Sequence, residues 1–338
     1  MSAPKHLTVC NWKHGKRWVY SVTYDEALAD LHRFAVPHHQ DLGIPGHVEA
    51  VVGQLGQERQ IGASSFNGMR HMNGSELREL VDAGWGVGNH SWSHQVIVPE
   101  TVDRELGEAR DVLEQAIGGP VDLYCSPGDN TNMSDHVLAA CRELGYLGAM
   151  SLTDALNRPG DELFWLNRTA LHDEYYPPFH SEYDPYRNLR HAARDSGWVI
   201  DYCHCPLEEA IHPNKDCSEK QLRRRFETVL DEGGDEVWCA VPEEVLYYHL
   251  CRRHLQVEAL AETETEQRYA LSLPDLSPRV RWRQVTVEAA VPAPWCRTPR
   301  VWINGAHRPA QVVRPGVLRT TVEVVDRTEI AFRAAARP

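Results

Sequence analysis

Short β-prone runs alternate with amphipathic helical patterns from residue 18 to about residue 256 of the chain. The helical pattern is clearest in PETVDRELGEARDVLEQAIGG, which begins with Pro99 and ends with Gly118, residue types that commonly start and stop helices. An alternation of strands and helices is typical of layered or barrel-shaped α/β proteins. We therefore predict an α/β fold with the strands WVYSVTY, HVEAVVG, WGVGNHS, VDLYCS, LGAMSL, LFWLNR, WVIDYCH and EVWCAV.

Two further helices follow from the same periodicity. SDHVLAACRELGY has Ser134 as a cap at its start and Gly145 at its end. SEKQLRRRFETVLDEGG is expected to expose its Arg and Glu side chains to solvent. The apolar faces of the first and third helices are predicted to consist of Val102, Leu106, Ala109, Leu113 and Ile117, and of Leu222, Phe226, Val229 and Leu230.

The pattern changes after about residue 262, where short alternating segments such as RWRQVTVEAAVP and LRTTVEVV are separated by Pro and Gly. Such segments predict a small β-sandwich. We expect a large α/β domain over residues 1–260 and a β-rich accessory domain over residues 263–338, with the polar stretch ALAETETEQ at the boundary. Trp295 and Trp302 of the accessory domain suit either an exposed or a core position.

Composition narrows the classes of function. The 338 residues carry a formal net charge of −13 that is spread along the chain, which argues against nucleic acid and anionic membranes as partners. No long uncharged apolar run predicts a membrane span. The polar start of the chain does not resemble a secretory signal, and the nine irregularly spaced cysteines indicate reduced thiols. We therefore expect a cytoplasmic protein.

Candidate chemistry begins at the end of the first β-prone run, where Asp25 and Glu26 stand side by side. Adjacent carboxylates repel each other and need a partner when buried. Further along, WGVGNHSWSHQV carries His90 and His94, four residues apart, after another β-like run. Two imidazoles and one carboxylate form a three-ligand metal site with open positions, and the second carboxylate can then act as general base. Zinc suits these nitrogen and oxygen ligands, and Co2+ or Ni2+ can replace it.

These residues resemble the motifs of the polysaccharide deacetylase family, also called the NodB-homology or carbohydrate esterase family 4 group. The T-F-D-D-G motif of that family reads TYDEA at residues 23–27, and its H-[ST]-x-x-H motif reads HSWSH at residues 90–94. The resemblance covers roughly residues 18–256 and implies a distorted (β/α) barrel. It implies further that Asp25 is the catalytic base, that Glu26, His90 and His94 are metal ligands, and that His204 in WVIDYCHCP is the general acid.

The chain departs from the family pattern at several positions. Glu26 replaces the second aspartate of the motif, and Ala27 replaces the glycine, which restricts the backbone there. The arginine motif that holds the base in the family is missing, and Cys125 stands at its place. Arg168 is a candidate replacement or else part of a surface salt bridge. The residues after Cys125 are expected to shape the substrate pocket: Ser126, Pro127, Gly128 and Asp129.

The resemblance predicts a metal-dependent hydrolase that removes an N-acyl group, N-acetyl in particular, from an amino sugar or a sugar-like small molecule. Water on the metal would be the nucleophile, and the substrate-binding residues would include Arg168. The insert from residue 172 to 197, with His172 and His180, is expected to read the substrate. Hydrolysis of a non-sugar C–N bond, such as a formamide or cyclic amide, and carbohydrate binding by a degenerate catalytic domain are the alternatives. Homo-oligomerisation stays open.

Overall fold

The computed structural model describes residues 6–172, 183–211 and 216–334. The chain divides into two compact units. One unit is Trp18–Leu246, and the other combines Met1–Arg17 with Tyr247–Pro338. Among the described residues, none of the helices has both the length and the apolar character needed to cross a lipid bilayer.

A curled sheet of parallel strands forms the centre of the unit Trp18–Leu246. The strands of the chain are numbered from β1 (Leu7–Val9), which belongs to the other unit. The sheet has the order β6-β5-β4-β3-β2-β8-β7, and β9 pairs with the first half of β2. Its strands are β2 (Trp18–Asp25), β3 (His47–Ala50), β4 (Gly86–Asn89), β5 (Leu123–Cys125), β6 (Gly148–Met150), β7 (Thr169–Ala170), β8 (Trp198–Cys203) and β9 (Val237–Cys239). With its helices, this sheet confirms the predicted distorted (β/α) barrel.

Helices follow most of these strands, as parallel connections require. Ser134 stands at the predicted N-cap position of its helix but makes no side-chain capping hydrogen bond, whereas the predicted end at Gly145 is confirmed, with a φ of 83°. The long helix predicted from Pro99 starts with a π-helical segment, Asp103–Glu108, before its α-helical part. The helices are α1 (Leu31–Phe34), α2 (Val36–Leu42), α3 (Gly74–Asp82), α4 (Ala109–Ile117), α5 (Asp135–Leu144), α6 (Leu189–Asp195), α7 (Glu219–Gly233) and α8 (Pro242–His254).

Strand β2 is buried on both faces, and its two faces differ in chemistry. Trp18, Tyr20, Val22 and Tyr24 belong to the main hydrophobic core. Because successive side chains of a strand point to opposite faces, Ser21, Thr23 and Asp25 lie together on the other face. Ser21 donates a hydrogen bond to the Ala240 carbonyl at 2.7 Å. A polar line therefore runs along the inner face of the sheet toward the end of β2.

Two predictions from local pattern are wrong. LFWLNR forms no strand: only Leu166 makes an isolated bridge, to Met150, and the strand follows later as β7. Helix α7 does not expose all its arginines, since Arg225 is fully buried. Its guanidinium donates to both carboxylate oxygens of Asp201 on β8, at 2.7 and 3.0 Å. A buried carboxylate on the sheet therefore requires a buried cation on the helix that packs on it.

The other unit contains two antiparallel sheets. One has the order β1-β12-β16-β15 and the other the order β10-β11-β17-β13-β14. Strand β1 pairs with β12, so the first residues of the chain join this unit and not the α/β unit. The predicted boundary near residue 260 stays a prediction. The strands are β10 (Gln256–Glu262), β11 (Glu266–Ser272), β12 (Gln284–Ala290), β13 (Val301–Ile303), β14 (Ala306–Arg308), β15 (Gln311–Arg314), β16 (Val317–Glu323) and β17 (Arg327–Arg333).

Candidate active site

A cavity of about 140 Å³ lies at the carboxyl ends of the parallel strands. This is the edge at which α/β proteins usually place their active sites. The strand ends and the loops that follow β2, β4 and β8 supply most of its wall. The cavity brings together all five residues predicted to act in metal binding and catalysis. Its lining residues are Asp25, Glu26, Arg59, His90, His94, Gly128, Leu152, His172, Tyr202 and His204.

Asp25, the last residue of β2, is held by Arg168. The Arg168 guanidinium donates to both Asp25 oxygens, at 2.6 and 3.2 Å, and its Nη1 also donates to Thr23 at 3.3 Å. Burial alone would raise the pKa of Asp25, but Arg168 and then His90 oppose it and keep this pKa well below its ordinary value. Asp25 is therefore an ionised, oriented carboxylate at neutral pH. Arg168 lies behind it and does not line the cavity.

Glu26 is clamped by Arg59, a residue that the sequence patterns did not single out. Arg59 Nε donates to Glu26 Oε2, and Nη2 donates to Oε1 at 2.7 Å. Burial opposes ionisation of Glu26, but the hydrogen bond from Arg59 and the nearby positive charges together outweigh it and lower the pKa of Glu26 to about 2. The only signal in the sequence was general: two adjacent buried carboxylates need two cations. The pattern did not say which arginines would supply them.

His90 and His94 converge beside these carboxylates, with their ring centroids 5.0 Å apart. His90 Nδ1 lies 3.1 Å from the Cys125 carbonyl oxygen. Because that oxygen can only accept, Nδ1 carries the hydrogen and Nε2 keeps the lone pair. Burial lowers the pKa of His90 to about 3, so the ring is neutral near pH 7. His94 Nε2 lies 3.7 Å from Glu26 Oε1.

These donors suit a divalent metal ion. A neutral imidazole with a free lone pair is the form that binds zinc, and His90 is fixed in that form by its bond to the Cys125 carbonyl. A second combination also gathers ligand-type atoms, since those of Asp25, His90 and Cys125 lie within 4.8 Å of one another. Burial raises the pKa of the Cys125 thiol well above its ordinary value. The thiol is therefore the poorest donor, and two imidazoles with a carboxylate fit best.

His204 follows β8 and reaches the same cavity. Its backbone N–H donates to Asp216 Oδ1 at 2.6 Å, and the Cys205 N–H donates to the same oxygen at 3.1 Å. Its ring stacks on Phe66 with centroids 5.1 Å apart. The loop after β8 is thus anchored through its backbone, and the imidazole is oriented against an aromatic ring at the cavity wall.

The side chains of the segment after β5 mostly make hydrogen bonds within that segment. Ser126 is buried and donates its hydroxyl to the Asp129 carbonyl at 2.7 Å. The Asp129 side chain accepts from the Thr131 N–H at 2.7 Å and caps a short helix. Of the four residues Ser126, Pro127, Gly128 and Asp129, only Gly128 lines the cavity.

The insert contributes through its first residue. His172 is buried at the cavity wall, and its ring packs edge-on against Tyr202 with centroids 5.6 Å apart. Tyr202 lies on β8, carries the Arg168 guanidinium 4.3 Å above its ring, and was not picked out from the sequence. His180 lies outside the described residues.

Several site residues adopt a left-handed backbone that disfavours side chains. Glu26 has a φ of 71° and Ala27 a φ of 49°. The alanine that replaces the motif glycine therefore adopts a positive φ, a conformation that glycine adopts without steric cost. Ser91 and His94 have φ values of 68° and 58°. Strained backbone concentrated around one cavity is typical of functional sites.

Comparisons with known proteins point to one family. Residues 21–149 match the family described as polysaccharide deacetylase. A search of curated proteins gave no match.

Several solved structures are similar. The Streptococcus pyogenes deacetylase PplD in complex with acetate is 16% identical, with 44% of this chain and 62% of that chain covered and a TM-score of 0.38. IcaB from Ammonifex degensii is 20% identical, with 44% and 65% covered and a TM-score of 0.39. A family 4 acetyl xylan esterase from Clostridium thermocellum, in complex with a cobalt ion, is 14% identical, with 67% and 89% covered and a TM-score of 0.41. The chain spans less than two thirds of the first two of these proteins.

Proposed function

Because this chain carries a domain of the polysaccharide deacetylase family, we propose that it is a metal-dependent hydrolase that removes an N-acyl group, N-acetyl in particular, from an amino sugar or a sugar-like small molecule. One observation carries the proposal. An ionised carboxylate, a pair of imidazoles beside a second carboxylate, and a strand-end histidine all line a single cavity. The small volume, about 140 Å³, suits the acyl end of a substrate more than a whole sugar ring.

In this proposal His90, His94 and Glu26 hold the divalent ion, most simply zinc, or Co2+ or Ni2+. When bound, such an ion would polarise the scissile carbonyl and make a water molecule nucleophilic. Asp25 accepts the proton of the attacking water, because Arg168 keeps this carboxylate ionised and aimed. His204 donates a proton to the leaving nitrogen as the C–N bond breaks. The two residues return to their starting protonation by exchange with water.

The first test is metal content together with acetate release. We expect purified protein to contain about one divalent ion per chain, and His90→Ala or His94→Ala to lose metal and activity together, since one of few ligands is removed. His191→Ala, at an exposed site on α6, is the matched control and should retain both. Full activity after chelation, with no metal in the protein, would contradict the mechanism.

Hydrolysis of a non-sugar C–N bond, in a formamide or cyclic amide, is the second candidate. The small volume of the cavity favours it, because a formamide or a cyclic amide needs less room than an amino sugar. Parallel assays on an N-acetylated amino sugar and on a formamide separate the two. A carbohydrate-binding protein without activity is disfavoured, because base, acid and ligand residues share one cavity.

We also infer that the protein works in a reducing compartment such as the cytoplasm. All nine cysteines are free, and most of them are buried, as is usual for proteins that are kept reduced. Titration of the unfolded protein with a thiol reagent, without reductant, should therefore report nine thiols. Any stable disulfide would contradict this placement.

A further inference from the structure

The two carboxylates of the cavity are matched by two buried arginines. Arg168 pairs with Asp25, and Arg59 pairs with Glu26. Both arginines are almost inaccessible to solvent. Each ion pair joins one negative and one positive charge, so the charges within each pair cancel. A divalent ion therefore meets two carboxylates that are already paired with cations.

Arg59 engages the carboxylate that the proposed metal site needs. Its fork donates to both oxygens of Glu26 at once, the geometry in which an arginine and a carboxylate bind most strongly. Its remaining group, Nη1, donates to Asn67 Oδ1 at 2.7 Å and to the Ile61 carbonyl at 3.3 Å. Asn67 is itself fixed, because its Nδ2 donates to the Gly62 carbonyl at 2.8 Å. The loop thus holds the guanidinium firmly on Glu26.

The length of the Glu26 side chain determines where its carboxylate meets Arg59. Its carboxylate lies one methylene further from the backbone than that of the aspartate in the family motif. Glu26 Oε1 is both the acceptor of Arg59 Nη2 and the oxygen nearest to His94 Nε2, at 3.7 Å. The same oxygen therefore faces a fixed cation on one side and a predicted ligand on the other.

We propose that Arg59 competes with the divalent ion for Glu26 and so sets the metal affinity of the site. This inference rests on the proposed metal centre. Binding of the ion must either displace the Arg59 fork or bring a doubly charged ion close to a buried guanidinium, and both weaken binding. Arg59 acts through Glu26 and is a positioning residue. The site then fills only at higher metal concentration than the same ligands would need without Arg59.

Metal affinity, measured without substrate, tests this role. Zn2+ is titrated in metal-buffered solution into the full-length wild-type protein and into Arg59→Gln, with folding checked by thermal melting in the presence of a chelator. We expect Arg59→Gln to bind Zn2+ about tenfold tighter or more, because one buried positive charge is gone. Arg70→Gln is the matched control. Arg70 lies in the same segment but pairs with Glu76 at the surface, so the Zn2+ affinity of Arg70→Gln should match that of the wild type.

Arg59→Lys is the second variant, which tests the same role if Arg59→Gln does not fold. Lysine keeps the positive charge but cannot make the bidentate contact with Glu26. We therefore expect Arg59→Lys to bind Zn2+ about threefold tighter than the wild type, an affinity between those of the wild type and Arg59→Gln. Equal or weaker Zn2+ binding in the folded Arg59 variants would overturn the inference while the metal centre stands. If no variant takes up Zn2+, Co2+ or Ni2+, the metal centre itself is refuted, and the role of Arg59 with it.

Discussion

The acidic pair at the end of β2 is stabilised by cations from distant parts of the chain. Asp25 is paired with Arg168 and Glu26 with Arg59, and each contact is bidentate. Without these arginines, two adjacent buried carboxylates would be protonated or the strand end would open to water. The pairing therefore determines both the charge state of the cavity and its shape.

Asp25→Asn should separate chemistry from metal binding. We expect this variant to keep its metal ion and to lose turnover by roughly a hundredfold or more, the usual scale for loss of a general base. Metal analysis and initial rates check it, with Asp82→Asn on the exposed end of α3 as control. A variant that loses its metal would instead make Asp25 the ligand, as its closeness to His90 and Cys125 permits, and would make Glu26 the base.

His204→Ala should reveal a general acid. Its loop is anchored by backbone contacts to Asp216, so the fold and the metal ion should survive the change. Amide hydrolysis should fall by about two to four orders of magnitude. An activated ester, whose leaving group needs little protonation, should be affected much less, and rates on both substrates measure the difference. Equal losses would mean that His204 positions the substrate but does not protonate it.

At the scale of elements, α7 is tied to the sheet by an ion pair and not by apolar contacts alone. Arg225 donates to Asp201 on β8 and to the carbonyls of Pro185 and Arg187, both at 2.8 Å. The Tyr20 hydroxyl donates to the same Asp201 at 2.7 Å. Helix α7, strand β8, strand β2 and the middle of the insert therefore meet at one buried carboxylate. This network orients β8, the strand that ends just before His204.

Arg225→Ala should lower the free energy of unfolding by about 3–5 kcal/mol, because Asp201 is left as a buried charge without its cation. Arg223→Ala is the control on the same helix: its side chain is partly exposed and pairs with Asp41 and Glu227, so its loss should be much smaller. Urea denaturation of the three proteins measures both effects. Similar losses in the two variants would show that the buried pair does not hold α7 on the sheet.

At the scale of the molecule, every proposed site residue lies in the unit Trp18–Leu246. We expect a chain of residues 18–254, which keeps the whole of α8, to fold, to bind its metal ion and to hydrolyse a small substrate. Thermal melting, metal analysis and activity test this expectation. A chain that ends at residue 260 should aggregate more readily, because it keeps β1 without β12 and exposes unpaired strand edges. An insoluble 18–254 chain would show that the α/β unit does not fold on its own.

Much of this protein followed from its sequence, because the deciding signals are local. The alternation of strands and helices predicted the α/β fold, and the ends of α5 were readable from Ser134 and Gly145. The placement of the site also follows from local order. Asp25, His90 and His204 each end or follow a strand, and the carboxyl ends of parallel strands meet at one edge.

Only the tertiary structure decided which charges pair. Arg59, Arg168 and Arg225 have ordinary local contexts, and the chain could have exposed any of them to water. Each is buried because a carboxylate on the sheet lies opposite it, and that opposition depends on how loops and helices fold back over many residues. A local sequence pattern contains no information about such distant partners. For this reason Arg59 was missed in the sequence analysis, and all arginines of α7 were predicted to be exposed. The order of strand ends in the sequence determines where the site residues gather, and the packing of distant segments determines which of their charges are paired.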